Sequence, residues 1–419
     1  MLQGRIGRSA ALAAVAVACA LVPIAAGATS SRTLPPTTRF AVPLPEQGAV
    51  KQGLSLVAHR DLKDAALIAR METIPRAVWL NGGSAADAAK QVRQTLLEAT
   101  LERAVPVFVV YDIPGRDCGG YSAGGAQTTA DYDAYIDAVS ATLGRARAVV
   151  ILEPDALANL PSDCGYTGVD TAALDTARYA QIGHAIDTFE SAANPGLAVY
   201  LDAGNSAWHG VGDMAPRLVQ AGVLRTQGFF TNVSNYRPTA QEELYGTWIS
   251  DCIAFANNAD EGGWRLGHYD WCPGQYQPVG PGGSYVVDFS QATIDANDAW
   301  YAGNLGAATP AVRFVVDTSR NGQGGWDTAA AGYPSPGVAQ DWCNPPGRGL
   351  GARPTASTGV PLVDALLWVK TPGESDGSCT RGTAGPTDPE WGGVDPAAGA
   401  WFPQQALQLA QLASPPLLP

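Results

Sequence analysis

Residues 105–125, VPVFVVYDIPGRDCGGYSAGG, decide the fold. Val105, Val107, Phe108, Val109 and Val110 form a continuous apolar run rather than an alternating one, which predicts a strand covered on both faces. Pro114, Gly115, Gly119, Gly120, Gly124 and Gly125 then force a loop, and that loop holds Arg116, Asp117 and Cys118 a few residues past Tyr111. A second run, AVVILEPD at 148–155, ends in Glu153 and Asp155. Two consecutive strands thus deliver acids to their C-terminal ends, the edge at which parallel α/β folds build their sites.

The 419 residues are 46% hydrophobic and 16% charged, which supports a large packed core and argues against disorder or coiled coil. Arg5 and Arg8 precede an apolar stretch at 10–22, and Ala26, Gly27 and Ala28 supply small residues for cleavage. Residues 1–28 therefore read as a secretory signal, with export of the remainder to the extracellular space. A lipid anchor at Cys19 is disfavoured by Ala16 and by the apolar run continuing past the cysteine. Without Arg5 and Arg8 the formal charge moves from −13 to −15, which suits neither nucleic acid nor an anionic membrane surface. Six cysteines remain, Cys118, Cys164, Cys252, Cys272, Cys343 and Cys379, an even number that favours disulfides in an exported chain. They form no paired C-x-x-C knuckles, so neither a metal site nor a cofactor is expected. Six cysteines allow fifteen pairings. A local Cys252–Cys272 bridge is the economical one.

Residues 29–47, with Pro35, Pro36, Pro43 and Pro45, read as an extended leader, and 48–419 as one catalytic-sized domain. Strand-like runs recur at 77–80, 105–111, 148–153, 197–202, 229–233, 312–317 and 366–370, with amphipathic alanine-rich segments at 85–103, 130–143 and 171–191 between them. Seven strands alternating with helices predict a parallel sheet, either closed into a barrel or open. No G-x-G-x-x-G turn follows the first strand, which leaves dinucleotide binding without support. Residues 236–309 read as irregular, and the aromatics Trp264, Tyr269 and Trp271 are expected to form a small core inside a stapled loop.

His59, His184, His209 and His268 lack metal-ligand spacing, and neither a G-x-S-x-G turn nor a Ser-His-Asp order stands out. Carboxylates at strand ends, Asp117, Asp155, Asp202 and Asp376, together with tryptophans, suit hydrolysis of an acetal. One carboxylic acid protonates the leaving oxygen, and flat indoles stack on sugar faces. Of Trp79, Trp208, Trp342 and Trp368, two are expected to touch ligand and the others to be core.

The ordered motifs AVWL at Trp79, VVYDIPGRDC at Tyr111, ILEPDAL at Asp155, YLDAG with AW up to Trp208, TNVSNY at Asn232, VDTSRNG at Asp317, DWCNPPGRGLG at Trp342 and LLWVKTPGESDG at Trp368 resemble glycoside hydrolase family 6, the cellulases and cellobiohydrolases, over about 49–413. The resemblance implies an α/β fold, a distorted seven-stranded parallel (β/α) barrel with disulfide-stapled loops, and hydrolysis of β-1,4-glucan with inversion at the anomeric carbon. It implies that Asp155 is the general acid, that Asp117 keeps a proton on it, and that Tyr111 crowds the sugar into a distorted pucker. Asp376 corresponds to the family's disputed base, with Ser122 in a water chain as the other route to an activated water. Asp202, Lys370 and Glu374 match groups that hold sugar hydroxyls, Trp79, Trp208 and Trp342 match stacking platforms, and Asn232 belongs to the same substrate-binding set. Arg116 is expected to hold Asp117. The family's disulfides map to Cys118–Cys164 and Cys343–Cys379, which leaves Cys252 with Cys272. Asn205 stands where many members carry histidine, so an amide replaces a possible cation there.

Within the family, the short interval from Asp117 to Asp155 resembles bacterial endoglucanases, while the long segment 378–401 could roof the cleft as in a cellobiohydrolase. The endo reading is the expectation, acting as a monomer on cellulose or cello-oligosaccharides. A secreted glucan-binding protein without turnover is the alternative from another class, and it fits poorly because Asp117, Asp155 and Asp376 are all present.

Overall fold

The computed structural model describes residues 32–279 and 284–418. The signal expected at 1–28 lies outside the described residues. Among the described residues, nine strands follow in chain order: β1 Val78–Leu80, β2 Val107–Val110, β3 Ala148–Leu152, β4 Leu197–Asp202, β5 Gly228–Thr231, β6 Tyr276–Val279, β7 Ser284–Val287, β8 Arg313–Asp317 and β9 Val363–Leu367. Seven of them form one parallel sheet in the order β1-β2-β3-β4-β5-β8-β9, and β6 pairs antiparallel with β7. The long helices α3 Ala85–Glu102, α4 Thr129–Leu143, α5 Thr171–Phe189, α6 Val211–Ala221, α7 Thr239–Ala256 and α8 Gln291–Asn304 lie between strands. No helix among the described residues is long and apolar enough to cross a membrane.

The unbroken apolar runs have a direct packing cause. Phe108, Val110, Val150, Leu152, Val199 and Leu201 face the helices, while Val107, Val109, Val149, Ile151, Ala198 and Tyr200 fill the concave side. Each alternate residue therefore has its own core, as in sheets covered on both faces. Truncating one of the fully buried large side chains, such as Phe108→Ala, costs about 3–5 kcal/mol. Residues 32–46 run along this domain: Phe40 pairs with Val105 in a parallel bridge, and Leu34 and Phe40 are buried against the concave core.

The sheet curls without closing into a strand-paired barrel. Where a ladder between β1 and β9 would run, one backbone bond, Ala77 N–H to the Trp368 carbonyl at 2.9 Å, joins the two edges. The expected last strand, 366–370, is shifted: β9 begins at Val363 and ends at Leu367. Asp364 hides the start of the run in the sequence, because its charge is held by Arg313 and by the Tyr200 hydroxyl at 2.7 Å. The end is set by Asp317, whose carboxylate accepts the N–H groups of Val369 (3.1 Å) and Lys370 (3.0 Å). The Val369 carbonyl takes the Trp79 indole N–H at 2.8 Å. Those backbone groups are therefore unavailable for sheet pairing. Helices α1 Gln47–Ala58, α2 Leu62–Met71 and α9 Pro403–Gln411 carry a third apolar cluster that includes Trp368.

Residues 236–309 are more regular than the sequence suggests, since they contain α7, α8 and the β6–β7 hairpin. Helix α7 escapes a periodicity argument because residues on most of its sides are buried, from Tyr245 and Trp248 to Cys252 and Phe255. The aromatics of the loop after it touch one another but do not form the expected small core: Trp264 and Trp271 are 41% and 45% exposed, because the short turns around them bury no residue and leave them at the surface. Trp264 meets Phe255 edge-on at 5.9 Å, and His268 stacks on Trp271 at 3.7 Å. All three expected disulfides are formed, Cys118–Cys164, Cys252–Cys272 and Cys343–Cys379.

Candidate active site

A cavity of about 580 Å³ opens at the C-terminal ends of the parallel strands. All seven contribute to it: Trp79 from β1, Tyr111, Asp117, Cys118 and Ser122 after β2, Asp155, Asn159, Asp163 and Cys164 after β3, and Asn205, Ala207 and Trp208 after β4. Ser234, Asn235 and Arg237 follow β5, Asp341 and Trp342 follow β8, and Lys370 and Asp376 follow β9. Such a volume holds a few sugar rings rather than a macromolecular surface.

Backbone conformation after β3 decides which acid faces the cavity. Glu153 and Asp155 both have left-handed φ, 51° and 68°, conformations that cost a non-glycine residue about 1–3 kcal/mol and concentrate at functional sites. Glu153 turns inward, where its carboxylate accepts the N–H groups of Asp112 and Ile113 at 3.0 Å, and burial pushes it up to about 8. Asp155 turns into the cavity. Its carboxyl is pushed well above the usual carboxylate range, first by burial, then by the charges of Asp202 and Asp117, while a hydrogen bond from the Tyr111 hydroxyl pulls the other way.

Asp117 also has a left-handed φ, 54°. Its carboxylate accepts the Ser122 N–H at 2.6 Å, and burial raises its proton affinity. Arg116 does not pair with Asp117, contrary to expectation. Its guanidinium lies 4.5 Å over the Tyr111 ring and donates to the carbonyls of Tyr111, Asn81 (3.0 Å) and Ser122 (2.8 Å). It pins the loop, and the loop's Ser122 amide pins Asp117. The Cys118–Cys164 bridge fastens this loop to the one that follows Asp155.

Asp376 is engaged by four donors. Arg320 spans both its oxygens at 2.9 and 3.0 Å, and the Tyr236 hydroxyl (2.9 Å) and the Asn344 N–H (3.0 Å) complete the set. The oxygens of Asp376 are thus taken up by protein donors, which leaves it little freedom to turn toward a water in the cavity. Sequence reading singled out neither Arg320 nor Tyr236 nor Asn344. The available signal was Arg320 itself, three residues past the end of β8, where a cation at the core needs an opposite charge.

Three expected sugar-contact residues do not line the cavity. Asp202 is 2% exposed and accepts the N–H groups of Leu157 (3.1 Å), Ala158 (2.8 Å) and Gly204 (3.0 Å), so it braces the loop that carries Asp155. Asn232 is fully buried, bonded to the Asp317 carbonyl at 2.8 Å and to Arg237 N–H at 3.0 Å. Glu374 sits 3.7 Å from Lys370 Nζ and, unlike Lys370, is not among the residues lining the cavity. Short polar side chains after strands satisfy turn amides as readily as ligands, which is why the motif alone misplaces them. Trp79, Trp208 and Trp342, the three that the resemblance marks as platforms, all line the cavity, one more than the residues alone suggested, while Trp368 is core. Trp79 stands edge-on to Tyr111 at 5.5 Å, and the Asn205 side-chain oxygen accepts the Ala207 N–H. Asn235, a polar group expected at a strand end, lines the cavity, and Asn159, Asp163, Ser234, Arg237 and Asp341 line it without having been singled out.

The one grouping of possible metal ligands among the described residues is Cys379 with Asp388 and Asp395, and its sulfur is already bonded to Cys343. The chemistry within reach of the cavity is that of a carboxylic acid whose proton affinity burial and neighbouring charges raise well above the usual carboxylate range, beside indole faces and a second carboxylate.

Residues 37–413 match the family model described as Glycosyl hydrolases family 6. Endoglucanase A of Cellulomonas fimi is 34% identical over 349 residues, 83% of this chain and 56% of that protein. The probable 1,4-beta-D-glucan cellobiohydrolase C of Neosartorya fischeri is 30% identical over 338 residues, 74% of this chain and 62% of that protein. The chain thus spans little more than half the length of these two curated relatives. The structure of the endoglucanase Cel6 from Mycobacterium tuberculosis, in complex with methyl-cellobiosyl-4-deoxy-4-thio-beta-D-cellobioside, superposes with a TM-score of 0.62 at 31% identity, over 90% of this chain and 97% of that one.

Proposed function

The chain belongs to glycoside hydrolase family 6, and from this premise we propose that it is a cellulase, an endo-acting 1,4-β-glucanase that inverts the anomeric centre. The observation that carries the reading is the Asp155 carboxyl, which faces the cavity with its proton affinity raised well above the carboxylate range. Protonated there, it gives its proton to the leaving glycosidic oxygen as that bond breaks. Asp117 and Tyr111 act on Asp155, the first by its charge and the second by its hydroxyl. Because Asp376 is fully engaged, the attacking water hands its proton to a second water near Ser122 rather than to Asp376 directly. Trp79, Trp208 and Trp342 stack sugar rings, and Asn205, Lys370 and Arg237 meet hydroxyls. Residues 1–28 direct export before removal, and 48–419 form the catalytic unit.

Endo action is supported by two observations. No residue of 378–401 is among those lining the cavity, and neither is any aromatic of the 264–271 loop. The bacterial relatives named above are called endoglucanases. One observation favours the cellobiohydrolase alternative. Tyr121, on the Asp117 loop, accepts a hydrogen bond from Gln340 (3.2 Å) and lies 5.9 Å from the Trp342 ring, so loops from the two sides of the cavity touch. Viscosity loss of carboxymethyl cellulose against reducing ends produced, with the product anomer followed by NMR, tests both. A steep viscosity drop with few new ends and an α product is expected. Slow viscosity loss with cellobiose as the main product would replace the endo reading with the exo one, and a β product would overturn inversion.

A further inference from the structure

Asn344 is fully buried and joins Asp376 to a second pair of acids. It exchanges backbone and side-chain hydrogen bonds with Asp376 at 3.0 and 2.8 Å, and its Nδ2 donates to Asp395 Oδ2 at 2.9 Å. Asp388 and Asp395 are fully or nearly fully buried, with carboxyl oxygens within 4.8 Å of each other. Asp395 Oδ1 has no donor. Among the described residues, the one cation facing the pair is Arg381, itself buried, whose Nη2 lies 2.8 Å from Asp388. The other groups around them are the Glu390 N–H on Asp388, the Asn344 amide, and Cys379, which is disulfide-bonded; the Tyr333 hydroxyl donates instead to the exposed Glu390 carboxylate. Arg381 also donates to the carbonyls of Ala339 (2.9 Å), Gln340 (2.8 Å) and Asn344 (2.9 Å). These bonds fix the segment that presents Asp341 and Trp342 to the cavity.

Two buried carboxyls facing one guanidinium leave one negative charge uncompensated unless a proton stays. We propose that Asp388 and Asp395 share a single proton, and that this proton lets Arg381 remain on the carbonyls of the Trp342 segment, which makes the two acids positioning residues for the glucan-binding wall. When the proton leaves, the second carboxylate competes for Arg381 and draws it from those carbonyls, so the wall loosens. Burial first, and then the neighbouring Asp388 charge, push the Asp395 carboxyl up to about 7, while the Asn344 amide opposes them. The proton is therefore held in acid and lost as pH rises through neutrality. The inference rests on the reading that Trp342 contacts glucan.

The test compares the wild type with D395N, whose amide keeps a donor toward Asp388 at every pH. Loss of the Asp155 proton lowers kcat, whereas a loosened wall raises KM, so the two are separable. From about pH 6 to about pH 8, KM for a soluble cello-oligosaccharide is expected to rise about threefold or more in the wild type and to stay level in D395N. Carboxyl carbon NMR of aspartate-labelled protein gives a readout independent of turnover: a resonance titrating near neutrality is expected in the wild type and absent from D395N. If D395N does not fold, D388N replaces it, and the same resonance is expected to titrate at least one unit lower. A wild-type KM that is level across this range, or no titration assignable to Asp395 near neutrality, overturns the proposal. Failure of the wild type to cleave any β-1,4-glucan overturns the glycosidase reading and with it the glucan wall, while the NMR arm still decides proton sharing.

Discussion

Arg320 and Asp376 form a bidentate pair, with guanidinium nitrogens 2.9 and 3.0 Å from the two carboxylate oxygens and Arg320 fully buried. Removing either partner strands the other charge in the core, which costs about 3–5 kcal/mol. Arg320→Met and Asp376→Ala are each expected to lower the unfolding free energy from denaturant titration by that much, and the double variant by less than the sum. Additive losses in a double-mutant cycle would show that the pair is not coupled.

Asp155→Asn is expected to reduce kcat on cello-oligosaccharides by about 10²–10⁴-fold, the usual worth of a general acid. The same change should not destabilise the protein. A carboxyl whose folded-state affinity for protons is raised gives stability that is complete in acid and lost as pH rises through its folded value. The variant has no such loss, so its melting temperature should equal the wild type's in acid and exceed it at neutral pH. A lower melting temperature at neutral pH would mark Asp155 as a structural residue instead.

Asp117→Asn removes one of the charges that hold the proton on Asp155. Ionisation of Asp155 then becomes easier, and the alkaline limb of the kcat profile is expected to move to lower pH, by on the order of one unit. An alkaline limb that stays in place would assign that limb to another group.

The Cys118–Cys164 bridge closes a loop of 46 residues between the Asp117 and Asp155 loops. Replacing both cysteines by serine is expected to cost about 4 kcal/mol by the chain-entropy relation. Both loops line the cavity, so KM should rise along with the lost stability. Loss of stability with KM unchanged would confine the bridge to folding.

Arg116→Lys keeps a charge but cannot reach three carbonyls while covering the Tyr111 ring. The loop bearing Ser122 and Asp117 should loosen, with kcat falling about tenfold or more, since misplacement by an ångström has such effects. Wild-type kcat in this variant would show that the charge alone suffices.

The sequence by itself determined the sheet, its parallel sense and the edge that carries the site, because β2, β3 and β4 are unbroken apolar runs and continuous burial on both faces leaves no other arrangement for them. It also determined the candidate acids, since carboxylates at strand ends are visible as text. What it could not determine was direction. In EPD the two acids differ only in which way a left-handed backbone turns them, and Glu153 goes to amides while Asp155 goes to the cavity. Asp202 and Asn232 read as ligand groups and are braces, because a turn's N–H groups compete for the same oxygens. Arg320 and Asp376 lie 56 residues apart, and Asn344 reaches Asp376 across 32 residues and Asp395 across 51. Pairings at that separation follow from how loops fold back over the sheet. Only the tertiary structure decides them, because a buried charge takes the partner that space provides, whatever its distance along the chain.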